Sequence, residues 1–422
     1  FMRVFNAATE AIKQGGARRG ANMGILRVDH PDIISFITVK EDPAEFLNFN
    51  LSAAITDGFM DALEKGADYP LVNPRTGLAV GFKNAAEVFG RIAECAWKNG
   101  EPGVIFIDRI NRDNPTPFLG AIEAVNPCGE QPLLNYEPCN LGSVNLSRML
   151  KRDGGRYALD YEKLGHTVRL SVRFLDNVID MGRYPSKEID LMAKGNRKIG
   201  LGVMGFADML TRLRVPYGSV ESFRAAEDVM RFIGETAWDE SRALAKERGE
   251  FPNFKGSVFD RPGGAKVRNA TSTTVAPTGT LSIIAGCSSG IEPFYSLSYA
   301  RQVLNGVRIP EVNPLVEEVA REEGFYTPGL LDYIAGGGDL KKRDDVPQAV
   351  KAVFPVAFDI SAEGHIRMQA AFQNHTDNAV SKTINLAPEA SVEDVRKAYL
   401  LAYKLGCKGI TVYRSGTRAA QV

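Results

Sequence analysis

The stretch Val125-Asn126-Pro127-Cys128-Gly129-Glu130-Gln131-Pro132 decides how the rest of the chain is read. Prolines at 127 and 132 with a glycine between them forbid a helix and favour an extended loop. In extended chain, side chains alternate, so Asn126, Cys128 and Glu130 are expected on one side. That groups an amide, a thiol and a carboxylate: a hydrogen-bonding group, a sulfur reaction centre and an acid/base group. The same residues also suit a Pro-rich loop whose cysteine is an inert small hydrophobe. The neighbouring sequence has to choose between the two.

A few residues on, the chain reads Glu137-Pro138-Cys139-Asn140-Leu141-Gly142-Ser143-Val144-Asn145-Leu146. Together the two stretches resemble the active-site finger loop of class II ribonucleotide reductases. Further motifs agree in order. Gln14-Gly15-Gly16-Ala17-Arg18-Arg19-Gly20-Ala21 resembles the family's loop between specificity effector and substrate base. Ala276-Pro277-Thr278-Gly279-Thr280-Leu281-Ser282, followed by Gly290-Ile291-Glu292-Pro293, resembles its substrate-phosphate loop. Ser381-Lys382-Thr383-Ile384-Asn385-Leu386 and Gly406-Cys407-Lys408-Gly409-Ile410-Thr411-Val412-Tyr413 are similar to its last two barrel strands. The resemblance runs from about Phe1 to Arg418.

The resemblance implies an α/β fold: a ten-stranded barrel of two antiparallel-arranged halves, at about 1–150 and 195–418, with the finger loop at its centre. It makes Cys128 a transient thiyl radical that removes the 3′ hydrogen of a ribose. Glu130 takes the 3′-hydroxyl proton, Asn126 holds the substrate, and Cys139 is one of two cysteines that reduce C2′ as water leaves. Pro277, Thr278, Gly279, Thr280 and Ser282 bind substrate phosphates. Gln14, Gly15, Gly16, Arg18 and Arg19 communicate with the effector. The implied cofactor is adenosylcobalamin, and the implied substrate a ribonucleoside di- or triphosphate. The further implied partners are a deoxynucleotide or ATP effector, a thioredoxin-type or dithiol reductant, and a second copy in a homodimer.

These roles fit the chemistry of the residues. A carboxylate on a mostly dry loop has a raised pKa, suited to proton transfer near neutrality. Reduction by two thiols leaves one disulfide. The 276–282 loop offers hydroxyls and close backbone N–H groups without bulk, enough to cradle phosphates ahead of a helix, although Ser/Thr caps on a plain turn read alike. It has no Lys and is not a Walker A sequence.

Three features set the chain against the family pattern. The second reducing cysteine belongs upstream of Phe1. No C-terminal cysteine pair precedes Val422. Class I enzymes carry two adjacent tyrosines where this chain has Val412-Tyr413, so the radical is expected to arise beside Cys128, which favours adenosylcobalamin. The opening Phe-Met-Arg-Val-Phe-Asn is not a natural start, and the chain is expected to be a piece of a longer cytoplasmic enzyme. The competing readings are a class I large subunit, a glycyl-radical reductase using Gly416, and a silent nucleotide-binding module.

Composition limits the classes further. Of 422 residues, 51 are Lys or Arg and 51 are Asp or Glu, so no net field points to nucleic acid or an anionic membrane. Apolar stretches such as 281–286 are far shorter than the ~20 residues that span a bilayer. Five scattered cysteines make no disulfide framework, and Cys95, Cys287 and Cys407 are read as packing residues. Gly200-Leu201-Gly202-Val203-Met204-Gly205 matches a dinucleotide fingerprint, but the polar, basic Lys194–Lys198 precedes it where a strand belongs. Helical periods fall at Phe5–Lys13, Phe46–Lys65, Ala85–Lys98, Tyr161–Met181, Ser222–Glu247 and Val392–Leu405. Strand-like runs fall at Met23–Val28, Val104–Asp108, Gly200–Met204, Thr273–Ala276, Leu297–Val303, Lys382–Leu386 and Gly409–Tyr413. The charged 341–350 segment reads as a surface excursion.

Overall fold

A computed structural model describes residues 1–14, 18–42, 44–302 and 308–417. Its main sheet has five strands: β1 (Asn22–Arg27), β2 (Phe49–Ile55), β3 (Gly103–Phe106), β6 (Thr383–Leu386) and β7 (Gly409–Arg414). Their order is β6-β7-β3-β2-β1. β1, β2 and β3 run parallel, β6 and β7 run parallel, and the two groups meet antiparallel where Gly409 and Ile410 face Ile105 and Val104. A separate parallel ribbon joins β4 (Asn140–Asn145) to β5 (Ile199–Met204). Single parallel bridges, Leu201 to Thr273 and Val275 to Val380, carry the ribbon toward β6. The fold is therefore mixed α/β with strand groups of opposed direction. Among the described residues the ladders do not close into a ten-stranded barrel.

Each strand group is covered on its outer face. On the sheet, Ala53, Ile55, Val104, Phe106, Ile384 and Val412 pack under α1 (Ala85–Asn99) and α6 (Val392–Lys404). On the ribbon, Val144, Ile199, Leu201 and Val203 pack under α2 (Tyr161–Met181) and α3 (Val220–Arg248). Alternation sends the other residues inward. Ala54 and Ile105 meet Met23, Ile25, Val125 and Leu134, which places the root of the finger against the inner face of the sheet. Leu141, Gly200 and Gly202 form the inner face of the ribbon.

Helix ends follow the sequence closely because they carry local signals. Asp160 caps α2 through Lys163 N–H, Ser219 caps α3 through Ser222 N–H, and Ser391 with Asp394 forms a capping box on α6. The expected helix Phe46–Lys65 is a correction: it is β2 followed by a helix Asp57–Glu64. From Leu51 to Ile55 β2 is buried on both faces, and its Ala53-Ala54-Ile55 end carries no two-residue alternation to separate it from the apolar helix that follows. Thr56 then caps the helix by accepting from Phe59 N–H at 3.1 Å. Two strand-like runs also change. Ile107 starts a short helix rather than continuing β3, and Thr273–Ala276 makes only isolated bridges. The expected run Leu297–Val303 is a strand over Ser298–Gln302, and Val303 lies outside the described residues.

The 341–350 excursion is not simply a charged surface. Leu340, Val346 and Val350 are buried with Leu315, Val319 and Leu330 in a satellite core. No helix among the described residues is long and apolar enough to cross a membrane.

Candidate active site

The finger is a β-hairpin. Ala124 and Val125 pair antiparallel with Leu133 and Pro132. At its tip the chain turns rather than running extended: Gly129 N–H donates to Asn126 O at 2.9 Å, and Gly129 takes φ +84°. A residue with Cβ is strained there, whereas glycine is not. Asn126 N–H donates to Gln131 O at 3.1 Å, and its side-chain oxygen accepts from Gln131 N–H at 3.0 Å. This corrects the extended reading, because the turn, and not strand alternation, gathers Asn126, Cys128 and Glu130.

Glu130 is the best-held residue of the tip. Its backbone carbonyl accepts from Thr274 Oγ1 at 2.8 Å and from Ala379 N–H at 2.9 Å. On the opposite side, Asn50 of β2 donates to Pro127 O at 2.8 Å. The tip is thus suspended between the sheet and the 273–380 segments. The Glu130 side chain is only 3% exposed, and Oε2 has no hydrogen-bond partner among the described residues. Burial pushes its carboxyl pKa above the ordinary value, and a backbone N–H and the Asn126 amide pull it partly back. Cys128 is exposed, yet the protein around it and the Glu130 charge raise its thiol pKa. At neutral pH it is therefore an S–H group that can lose a hydrogen atom, and not a thiolate.

Cys139 lies just before β4, on the inward side with Leu141. It is half-buried, with Sγ 3.6 Å from the carbonyl of Asn140. Burial raises its thiol pKa strongly, Lys198 draws it down, and Glu137 and Glu130 push it up. Lys198 and Glu137 form a buried ion pair at 2.9 Å, and Asn196 donates to the other Glu137 oxygen at 2.5 Å. Glu137 also accepts from Leu134 N–H at 2.9 Å, which fastens the base of the hairpin.

The 276–282 loop leads into α4 (Gly279–Ala285) as its sequence suggests. Thr278 sits in the left-handed region at φ 54°. Its Oγ1 accepts from Gly290 N–H at 2.7 Å, and Ser282 Oγ lies 2.8 Å from Ser289 Oγ. Gly279 and Thr280 are exposed, Pro277 is half-buried, and Thr278 and Ser282 are buried and serve the loop's own geometry. Of the 14–19 loop, Gln14 pairs with Arg18 across a short antiparallel hairpin. Gly15 and Gly16 lie outside the described residues, as do the side chains of Gln14, Arg18 and Arg19.

A family model described as the ribonucleotide reductase barrel domain matches residues 1–265 and 263–413. The chain belongs to the ribonucleotide reductase barrel-domain family. A relative from Thermoplasma acidophilum named vitamin B12-dependent ribonucleoside-diphosphate reductase is 49% identical over the whole chain, which covers 54% of that protein. A Mycobacterium tuberculosis protein of the same name is also 49% identical, with 60% of it covered. The chain thus spans little more than half the length of these relatives. In the solved structure of the Actinobacillus ureae class Id ribonucleotide reductase alpha subunit the fold recurs at TM-score 0.76 and 22% identity, over 93% of this chain and 70% of that one.

In this fold the glycine-rich 200–205 stretch is β5 with Gly205 just past its end, and Gly200 and Gly202 serve packing. A Cβ on Gly202 would lie 2.1 Å from the Thr274 carbonyl oxygen, and one on Gly200 would meet Leu141, Gln131 and Thr274. Of the basic residues before it, Lys194 is exposed, whereas Arg197 and Lys198 are buried: Arg197 pairs with Asp176 at 2.8 Å and Lys198 with Glu137. Cys95 and Cys407 are buried packing residues, whereas Cys287 is half-buried. Sequence reasoning missed Thr274, Lys198 and Ala379 as supports of the finger. A lysine directly before an all-apolar strand was the one available signal for Lys198.

Proposed function

We propose that this chain carries the catalytic barrel of an adenosylcobalamin-dependent ribonucleoside-diphosphate reductase. The observation that carries the reading is the tip of the finger: an exposed, protonated Cys128 beside a buried Glu130 whose second carboxyl oxygen is unpartnered. The names of the 49% identical relatives favour the diphosphate form of substrate and vitamin B12 dependence. The strand groups of opposed direction support two half-barrels, at about 1–150 and 195–418, that complete a ten-stranded barrel around the finger.

Cys128 and Glu130 fit the cofactor's chemistry, since the thiol is open to a radical source docked against the loop. When bound, adenosylcobalamin supplies a radical by homolysis of its cobalt–carbon bond. The chain's own residues do the rest. Cys128 as a thiyl takes the ribose 3′ hydrogen, and Glu130 accepts the 3′-hydroxyl proton. Asn126 orients the sugar, and water leaves from C2′. Cys139 with a second thiol then gives two electrons and becomes a disulfide. Gly279 and Thr280 offer a backbone N–H and a hydroxyl to the diphosphate, and the 14–19 hairpin answers to a deoxynucleotide or ATP effector. A dithiol or thioredoxin-type protein restores the thiols, and the working form is a homodimer.

Anaerobic exchange of tritium from 5′-labelled adenosylcobalamin into water, with a nucleoside diphosphate present, tests the reading. Exchange by the unmodified protein and none by Cys128→Ala is expected. Equal exchange in both proteins would remove Cys128 from the radical step.

A further inference from the structure

Outside the finger, a buried cluster gathers around the ammonium of Lys382, whose side chain is fully shielded from solvent. Lys382 Nζ has three N–H groups and three partners. These are the Glu292 carboxylate, His365 Nδ1 at 3.0 Å and Thr383 O at 2.9 Å. His365 Nε2 lies 2.9 Å from Ala357 O, which can only accept, so the ring proton is on Nε2 and Nδ1 is the acceptor. The second Glu292 oxygen accepts from Thr383 N–H at 2.7 Å. The ammonium is thus fully satisfied inside the fold and faces no ligand.

Glu292 connects this cluster to the phosphate loop. Its N–H donates to Ser289 O at 2.9 Å, and Ser289 and Gly290 are the residues that hold Ser282 and Thr278. Thr278 is a β-branched residue at positive φ, which persists only where its surroundings hold it. The other end of the cluster lies on the segment 379–383. Ala379 N–H holds the Glu130 carbonyl, and Ser381 N–H donates to Val275 O at 2.8 Å. One extended segment, about 13 Å long at the strand rise, therefore grips the acid/base end of the site at Ala379. It grips the support of the phosphate end at Lys382 and Thr383.

We propose that Lys382 and Glu292 are positioning residues that set the phosphate loop at a fixed distance from Glu130 and Cys128. The proposal rests on the nucleotide reading above and deepens it. A nucleoside diphosphate is held at its phosphates and attacked at its ribose, so an error in that distance either weakens binding or moves the 3′ carbon away from sulfur. Misplacement of about 1 Å can cost as much as a hundredfold in rate.

The test uses inorganic pyrophosphate and a ribonucleoside diphosphate as probes, by equilibrium binding and by steady-state kinetics of the holoenzyme. Glu292→Asp keeps the charge pair but shortens the arm by one carbon–carbon bond, about 1.5 Å. It is expected to lower affinity for both probes roughly threefold and to raise KM more than it lowers kcat, with an unchanged melting midpoint. Lys382→Met removes the hub and is expected to lose about tenfold in affinity and to lower kcat as well. A folded Glu292→Asp variant with unaltered affinity and KM overturns the proposal, and it decides the matter alone if Lys382→Met does not fold. If the unmodified protein binds neither probe, the nucleotide reading falls and takes this proposal with it.

Discussion

Glu130 and Cys128 are adjacent in chemistry but opposite in environment: the acid is buried and the thiol is open. Burial without a full set of partners keeps the Glu130 carboxyl easier to protonate than an exposed one. It must be ionised to accept a proton, so kcat/KM is expected to rise with pH through its raised pKa, producing an acidic limb displaced above the ordinary carboxylate range. Glu130→Gln removes the base and keeps the shape. It is expected to cost about 10² to 10⁴ in kcat and to abolish that limb, as read from a pH–rate profile. A Gln variant with the original limb would assign it to another group. Thr274, which holds the Glu130 carbonyl, has neither charge nor motif to draw attention in sequence, and its role exists only through a partner 144 residues away.

At the scale of elements, the decisive contact is between the finger's supports and β5. The inner face of β5 is glycine at 200 and 202, and the 272–275 segment lies directly against it. Gly202→Ala would force the Thr274 carbonyl away from the strand, and Thr274 is what grips Glu130. The expected cost is about 3 kcal/mol or more in chemical denaturation, at the upper end for overpacking, together with lost turnover. A stability change under about 0.5 kcal/mol would show that the two segments separate easily. The same glycine spacing read as a dinucleotide fingerprint would have predicted loss of nucleotide affinity without loss of stability.

For the whole molecule, charge buried between the elements makes stability depend on pH. His365 is held neutral, its pKa lowered from 6.5 to about 3 by burial and then by Lys382. The folded state therefore binds fewer protons than the unfolded state between these values. The contribution is fully present above about 6.5 and is lost as pH falls toward about 3, at up to about 1.4 kcal/mol per pH unit. Glu130 has the opposite sign: its pKa is raised, so its contribution is present at low pH and lost as pH rises through the folded value. Denaturant unfolding of the parent and His365→Asn proteins at pH 7, 5 and 4 isolates the histidine. The variant is expected to lose less stability on acidification. Parallel curves would mean that His365 is not the group being charged.

Local signals were enough for much of this. Helix periods placed α1, α2, α3 and α6 to within a few residues, because an amphipathic stripe is written within a few turns of chain. Contiguous motifs were enough for the family, and they point to the candidate site because Asn126 to Cys139 and Pro277 to Ser282 are each a single run. What the sequence could not carry was anything made by partners far apart in the chain. Burial of Ala53, Ala54 and Ile55 on both faces left that end of β2 without alternation, and it read as one helix with the segment that follows. The tight turn at Gly129 grouped three side chains that alternation had grouped for a different reason. Whether Lys198 and Lys382 were solvated or buried depended on Glu137 and Glu292, 61 and 90 residues away. Lysine is costly to bury unless paired and hydrogen-bonded, and only the tertiary structure supplies the pair.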